Sequence, residues 1–270
     1  MNRSIILEIV RHVLLAIGAV FTLMPVAIMI TSAFTPTEDI LAGKYLTKVT
    51  LANFITVSHQ VPIGRYYLNS IIVCVSTFVM QLIVCIPAAY AMARLRYCGR
   101  KISIWIINIL ILVPFQVIAI PIYLMLQWVG LNNTLLSLVL PFIGSAFSIY
   151  LLRQFFITLP ESMFDAAKID GASTIRVLLE ILIPSSRPAI TTLGVFTVTS
   201  AWNAYFWPSF ILSGQDVQTV PFGVVQYINS EAVTDYGPQM AMATLSVAPL
   251  LIAFLLAQKS FIQGLAIGKE

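Results

Sequence analysis

The 270-residue chain is 59% hydrophobic and only 10% charged, with a mean hydropathy of +0.93. Soluble domains carry about a quarter charged residues, so a water-soluble globular fold is excluded and the solvent for most of these side chains is lipid. The net charge of +4 does not point to nucleic acid as a partner, because the cations lie between apolar runs and follow membrane topology.

A helix needs about 20 apolar residues to cross roughly 30 Å of hydrocarbon. Six stretches qualify, at about 12–34, 69–93, 102–127, 134–156, 187–212 and 240–260. The expected fold is therefore all-α, a polytopic protein with six transmembrane helices in a single membrane domain over 1–270. The first stretch follows Arg3 and Arg11 and runs from Val13 to Ile30. That exceeds the 7–15 residue core of a cleaved signal peptide, so it is expected to stay as an anchor. Pro25, Pro87, Pro114, Pro121, Pro141 and Pro249 fall within the spans, where each removes a backbone donor and bends its helix. Cys74, Cys85 and Cys98 form neither a disulfide framework nor a zinc spacing.

Lysine and arginine accumulate in cytoplasmic loops. Arg3, Arg11, Arg94, Arg96, Arg100, Lys101, Arg153, Lys168, Arg176, Arg187, Lys259 and Lys269 fall on one side of the six-span arrangement, leaving Lys44, Lys48 and Arg65 on the other. Both termini and the loop 157–186 are thus expected in the cytoplasm. No Asp, Glu or His occupies the middle of a span, which disfavours an ion-coupled secondary transporter. No catalytic set, metal-ligand cluster or glycine-rich nucleotide loop appears. The chain is therefore expected to have no enzyme site, no cofactor and no engine of its own.

The loop 157–186 has its own helical signals. Pro160 suits a helix start, and Glu161 favours the positive end of its dipole. Gly171 fits a left-handed stop. Ser173 can cap a second helix through Val177, Leu178, Ile181 and Leu182, ended or kinked by Pro184. An isolated helix as short as the first is marginal in water, so it leans on something. It is either an amphipathic linker lying in the headgroups or a docking helix that offers Met163, Phe164, Ala166 and Ala167 to a cytoplasmic partner.

The segment DAAKIDGASTIRVLLEILIP, residues 165–184, resembles the EAA loop of ABC importer permeases. Asp165, Ala166 and Ala167 stand at its first three positions, Gly171 follows after three residues, and Ile181, Ile183 and Pro184 close it. Asp165 replaces the usual Glu and Ile183 the usual Leu. LPESMFDAAKIDGAS, AWNAYFWP (201–208), TVPFGVVQY (219–227) and QKSFIQGLAIG (258–268) are similar to segments of the carbohydrate-type, maltose-permease-like class. The resemblance implies a non-catalytic subunit of a bacterial inner-membrane importer. Its partners would be a second permease subunit, two copies of an ATPase that binds ATP and Mg, and an extracytoplasmic solute-binding protein. It assigns ATPase coupling to Met163, Phe164, Asp165, Ala166, Ala167 and Gly171, and a carbohydrate as substrate, with sn-glycerol 3-phosphate as the alternative. Polar residues within the spans are candidates for the substrate path: Asn203 beside Trp202 first, then Tyr205, Asn69, Gln81, Gln116 and Asn108. The same amides also serve as interhelical hydrogen bonds.

The charge asymmetry generates a topology test. Cysteines introduced at Lys44 and Asp216 are expected to react with an impermeant thiol reagent from outside intact cells, and cysteines at Arg100 and Lys168 only after permeabilisation. Outside labelling at position 168 overturns the arrangement.

Overall fold

The computed structural model describes residues 3–230 and 235–266, and these are helices and connecting turns with no strand among them. Lys269 and the end of the 258–268 segment lie outside the described residues. In chain order the helices begin with α1 (Arg3–Ala33), short α2 (Thr37–Leu41) and α3 (Ala52–Gln60). The long α4 (Ile63–Arg94) follows, then α5 (Arg100–Leu112) and α6 (Phe115–Trp128). Next are α7 (Leu135–Val139), a 3-10 turn (Leu140–Phe142), α8 (Ala146–Thr158) and α9 (Glu161–Ile169). Then come α10 (Thr174–Arg176), a π-helical stretch (Val177–Leu182), α11 (Ile183–Ser185) and α12 (Arg187–Trp202). The last are α13 (Phe206–Ile211), α14 (Val220–Ser230) and α15 (Tyr236–Ala266).

Leu7–Ala33, Ile63–Arg94 and Tyr236–Leu255 are each long and apolar enough to cross a membrane unaided, and counting each of three bent helix pairs as one span gives up to six. The expected spans at 102–127, 134–156 and 187–212 are each broken into such a pair, a sharper interruption than a bend within one helix. Helices α5 and α6 meet at 101°. Pro114 lacks an N–H and forces the residue before it out of the helical region, and Val113 is extended at φ −80°, ψ 115°. Pro121 lies inside α6 without breaking it. Leu135–Phe142 and Ala146–Thr158 meet at 45°, with the Ser145 hydroxyl accepting the Ser148 N–H to start α8 afresh. Thr174–Ser185 and Arg187–Trp202 meet at 80°. The π register just upstream of that bend leads into Pro184, whose ring would clash with the carbonyl of Glu180 in α geometry. The stretch expected to continue from 187 to 212 ends at Trp202 and resumes in the six-residue α13.

The chain divides into two compact units, residues 1–63 with 223–260 and residues 64–222 with 261–270. In the first, residues 7–25 of α1 are exposed throughout, including Leu14, Val20 and Phe21. An apolar helix of this kind faces lipid or another chain. The connection after α1 is pinned by the buried Asn53, whose Nδ2 donates to the carbonyls of Ala33 and Thr35, both at 2.9 Å. In the second unit, one core gathers Cys85, Ala89 and Tyr90 of α4, Leu152 and Phe156 of α8, Phe164 and Ala167 of α9, and Leu193 of α12. Another gathers Val73, Ala119, Leu138, Trp207, Ile211 and Phe222. Trp207 Nε1 donates to the carbonyl of Ser137 at 2.8 Å, so a large ring is buried with its one polar atom paired.

Asn53 makes a neighbouring glycine obligatory. A Cβ on Gly237 would lie 2.6 Å from Asn53 Oδ1, and the carboxamide cannot retreat without releasing Ala33 and Thr35. Gly237→Ala is expected to destabilise the chain by about 1–3 kcal/mol, read as a lower Tm in detergent. Gly64→Ala, where nothing lies within 4 Å, should leave the Tm unchanged.

Candidate functional site

The loop after α8 is built into the core. Pro160 (φ −60°, ψ 134°) opens α9. The helix closes in a Schellman arrangement, with Ala172 N–H donating to Ala167 O at 2.9 Å and Gly171 N–H to Lys168 O at 3.1 Å. Gly171 sits at φ +69°, which costs little only without a Cβ. Ser173 then caps α10 by accepting the Arg176 N–H. Helix stop, left-handed glycine and serine cap are as the sequence led us to expect.

The orientation of α9 differs from expectation. Phe164 and Ala167, read as part of a docking knob, are buried at 6% and 4% exposure against the chain's own core. Met163 is half-buried and packs on the same core. A nine-residue helix must bury one face to be ordered, and its larger ring goes inward. Asp165, Ala166 and Ile169 face outward, with Ile169 at 86% exposure. Asp165 and Lys168 form a solvent-exposed pair at 3.1 Å, the kind that adds a few tenths of a kcal/mol, about 0.2–0.5.

Arg94, counted in the sequence only as a topological charge, proves to be the clamp on this loop. Its Nε and Nη2 donate to the carbonyl of Phe156 at 3.1 and 2.7 Å, and Nη2 also donates to the carbonyl of Leu159. Its guanidinium lies 4.6 Å over the ring of Phe164. The last basic residue of a long apolar helix, placed before a loop that needs anchoring, is the sequence signal that would have found it.

The polar residues proposed for the substrate path scatter. Gln81 is 5% exposed. Its Nε2 donates to Phe142 O at 2.9 Å, and its Oε1 accepts from Ser148 Oγ at 3.1 Å and Thr197 Oγ1 at 2.6 Å. It lines a cavity of about 360 Å³, together with Thr77, Phe147, Phe196, Ser200 and Thr219 among others. Small-molecule sites occupy roughly 300–1,000 Å³. No charged side chain lines this one, and the hydroxyls of Thr77 and Thr219 are buried without a partner. Asn69 is buried, but its Nδ2 holds the carbonyls of Asp216 and Gln218 at 2.8 and 2.9 Å, a structural pin. Trp202 is buried, with its ring 6.2 Å from that of Tyr67. Asn203 is exposed and bonds back to Thr199 O at the end of α12. Tyr205, Gln116 and Asn108 are exposed. Thr77, Ser148, Thr197 and Thr219 were missed because hydroxyls in apolar helices normally bond within their own helix and give no pattern.

Residues 85–267 match the family described as binding-protein-dependent transport system inner membrane component. The chain is 32% identical over 249 residues to the probable ABC transporter permease protein YurM of Bacillus subtilis, covering 90% of this chain and 82% of that one. It is 28% identical to the diacetylchitobiose uptake system permease protein NgcG of Streptomyces coelicolor, covering 93% and 84%. It is 29% identical to the sn-glycerol-3-phosphate transport system permease protein UgpE of Pectobacterium atrosepticum, covering 96% of each. Its fold is similar to a chain of a bacterial ABC transporter involved in import of the acidic polysaccharide alginate, with a TM-score of 0.84 and 25% identity over 97% of this chain and 99% of that one.

The clamp is testable without any assay of activity. Charge-assisted hydrogen bonds contribute about 1.5–3 kcal/mol each. Arg94→Ala should therefore raise amide deuterium exchange across 157–171 by about tenfold or more, with Arg94→Lys intermediate because an ammonium cannot reproduce the fork. Unchanged exchange in Arg94→Ala would show that the loop is held by packing alone.

Proposed function

The chain belongs to the family of binding-protein-dependent transport system inner membrane components, and from that footing we propose that it translocates a carbohydrate and is driven through α9 by ATP-hydrolysing partner subunits. It is a multi-pass membrane protein, the permease component of an ABC importer, and its role is transport. The assembly we propose is a heterodimer with a second permease subunit, two copies of an ATPase that carries the ATP and Mg, and a solute-binding protein on the outer side. Both termini then face the cytoplasm, consistent with twelve of the fifteen basic residues on that side.

The observation that carries the coupling reading is the two-faced seating of α9. Its inner face, Phe164 and Ala167, is embedded among α4, α8 and α12. Its outer face, Asp165, Ala166 and Ile169, is open to a partner. The same three long helices carry Gln81, Ser148 and Thr197 around the cavity. Closure of the ATPase pair would displace α9, and a packed core transmits such a displacement because it does not deform continuously. The walls of the cavity would move with it.

For the substrate, uncharged hydroxyls, an amide and aromatic faces suit a neutral sugar. An anion in this cavity would lack a counter-charge from this chain, and burying an unpaired charge is costly. This favours a carbohydrate over sn-glycerol 3-phosphate, for which the UgpE relatives are named.

Substitutions on the two faces of α9 separate docking from folding. In the reconstituted importer, Ala166→Trp should leave the Tm of the chain unchanged while overfilling the partner contact by about 1–3 kcal/mol. That predicts about a tenfold or greater loss of substrate-stimulated ATP hydrolysis and uptake. Ala167→Trp should lower both activity and Tm, because it unseats the helix. Gly171→Val strains the left-handed turn and should behave like Ala167→Trp. Wild-type hydrolysis and uptake in Ala166→Trp would end the coupling reading.

A further inference from the structure

The junction of α4 and α5 forms a recess of about 770 Å³ in which four cations converge, Arg96 from the turn, Arg100 and Lys101 from the start of α5 and Arg153 from α8, beside Tyr97 and Ile102. Two of the four are held in place. Arg100 donates through Nε and Nη2 to the carbonyls of Met92 and Ala93 at 3.0 and 2.8 Å, and Arg153 Nε donates to Met92 O at 3.4 Å. These acceptors are neutral and leave the charges uncompensated. The ion pairs among the described residues are Lys168–Asp165 and Arg176–Glu180, so none of the four meets a carboxylate. The sequence explains why, since no acidic residue occurs between Asp39 and Glu161. Four like charges in one recess repel, and an anion from outside the chain removes that cost.

A second observation identifies the anion. Ile102, Trp105, Ile106 and Ile109 of α5 are exposed at 65%, 70%, 50% and 56%. Their i, i+3, i+4, i+7 spacing makes one continuous apolar face, and it begins at the recess. A phosphate placed among the cations would therefore stand at the head of an apolar stripe about 10 Å long, beside Tyr97, an aromatic of the kind that gathers at membrane interfaces. We propose that this recess is a binding site for the headgroup of an anionic phospholipid whose chains lie along α5. The proposal requires only that the chain spans a membrane and is independent of the coupling reading.

The test uses the full-length chain in mild detergent, titrated with dioleoylphosphatidylglycerol or dioleoylphosphatidylcholine and read by native mass spectrometry. Phosphatidylglycerol should be retained in preference to phosphatidylcholine. Each basic residue near an anionic surface contributes about fivefold to binding, so Arg96→Gln with Lys101→Gln should weaken phosphatidylglycerol binding about twenty-five-fold. Both residues are exposed, and the double variant keeps the carbonyl bonds of Arg100 and Arg153. A charge-matched control, Lys44→Gln with Lys48→Gln, should bind as wild type. Equal retention of the two lipids, or equal weakening by both double variants, overturns the site. Displacement of phosphatidylglycerol by inorganic phosphate makes it a soluble-anion site and also overturns the proposal. Unaltered lipid binding in the Arg96/Lys101 variant with lost capture of a purified ATPase subunit assigns the recess to protein contact instead.

Discussion

The loop that carries α9 is joined to the rest of the second unit by the guanidinium of Arg94. The end of an α-helix leaves carbonyls without partners, and at the end of α8 those of Phe156 and Leu159 are met by one side chain from another helix. The same group covers the ring of Phe164. One residue therefore fixes where α8 stops, where the chain turns and how α9 is presented. A nine-residue helix has too little intrinsic stability to stand alone in water. With this clamp and the apolar seat behind it, the loop becomes part of the core.

That seat and the cavity lie on the same helices. Cys85, Ala89 and Tyr90 of α4 join the apolar core, and Thr77 and Gln81 of the same helix line the cavity. Leu152 and Ser148 on α8, and Leu193 and Thr197 on α12, divide in the same way. Gln81 ties the three helices together at the polar level, since its carboxamide meets a backbone carbonyl before α8 and hydroxyls on α8 and α12. Apolar packing is tolerant of direction, whereas a buried amide with both ends engaged fixes one register. The two levels thus give a stiff body with a specified geometry.

The sequence revealed what depends on local chemistry or on overall apolar length. Gly171 could be assigned a left-handed turn and Ser173 a cap because these roles are decided within a few residues. The apolar stretches were visible because lipid requires their length. The bends were not. Pro114 breaks its helix by 101° while Pro121 continues within one. The faces of α9 were equally hidden. Phe164 and Ala167 on one side and Asp165, Ala166 and Ile169 on the other both fit a short amphipathic helix, and only the third dimension chooses which is inside. Asn203 looked exceptional beside Trp202 but closes its own helix, whereas Arg94, one charge among many in a basic loop, holds three segments.

The division of α9 into two faces has an evolutionary consequence. The residues that fold the loop, Phe164, Ala167 and the Ala172 contact across the Gly171 turn, share no member with those that face outward, Asp165, Ala166 and Ile169. Side chains on the exposed surface can therefore drift while the backbone that displays them stays constant. Substitutions at these exposed positions can accumulate without passing through an unfolded intermediate genotype.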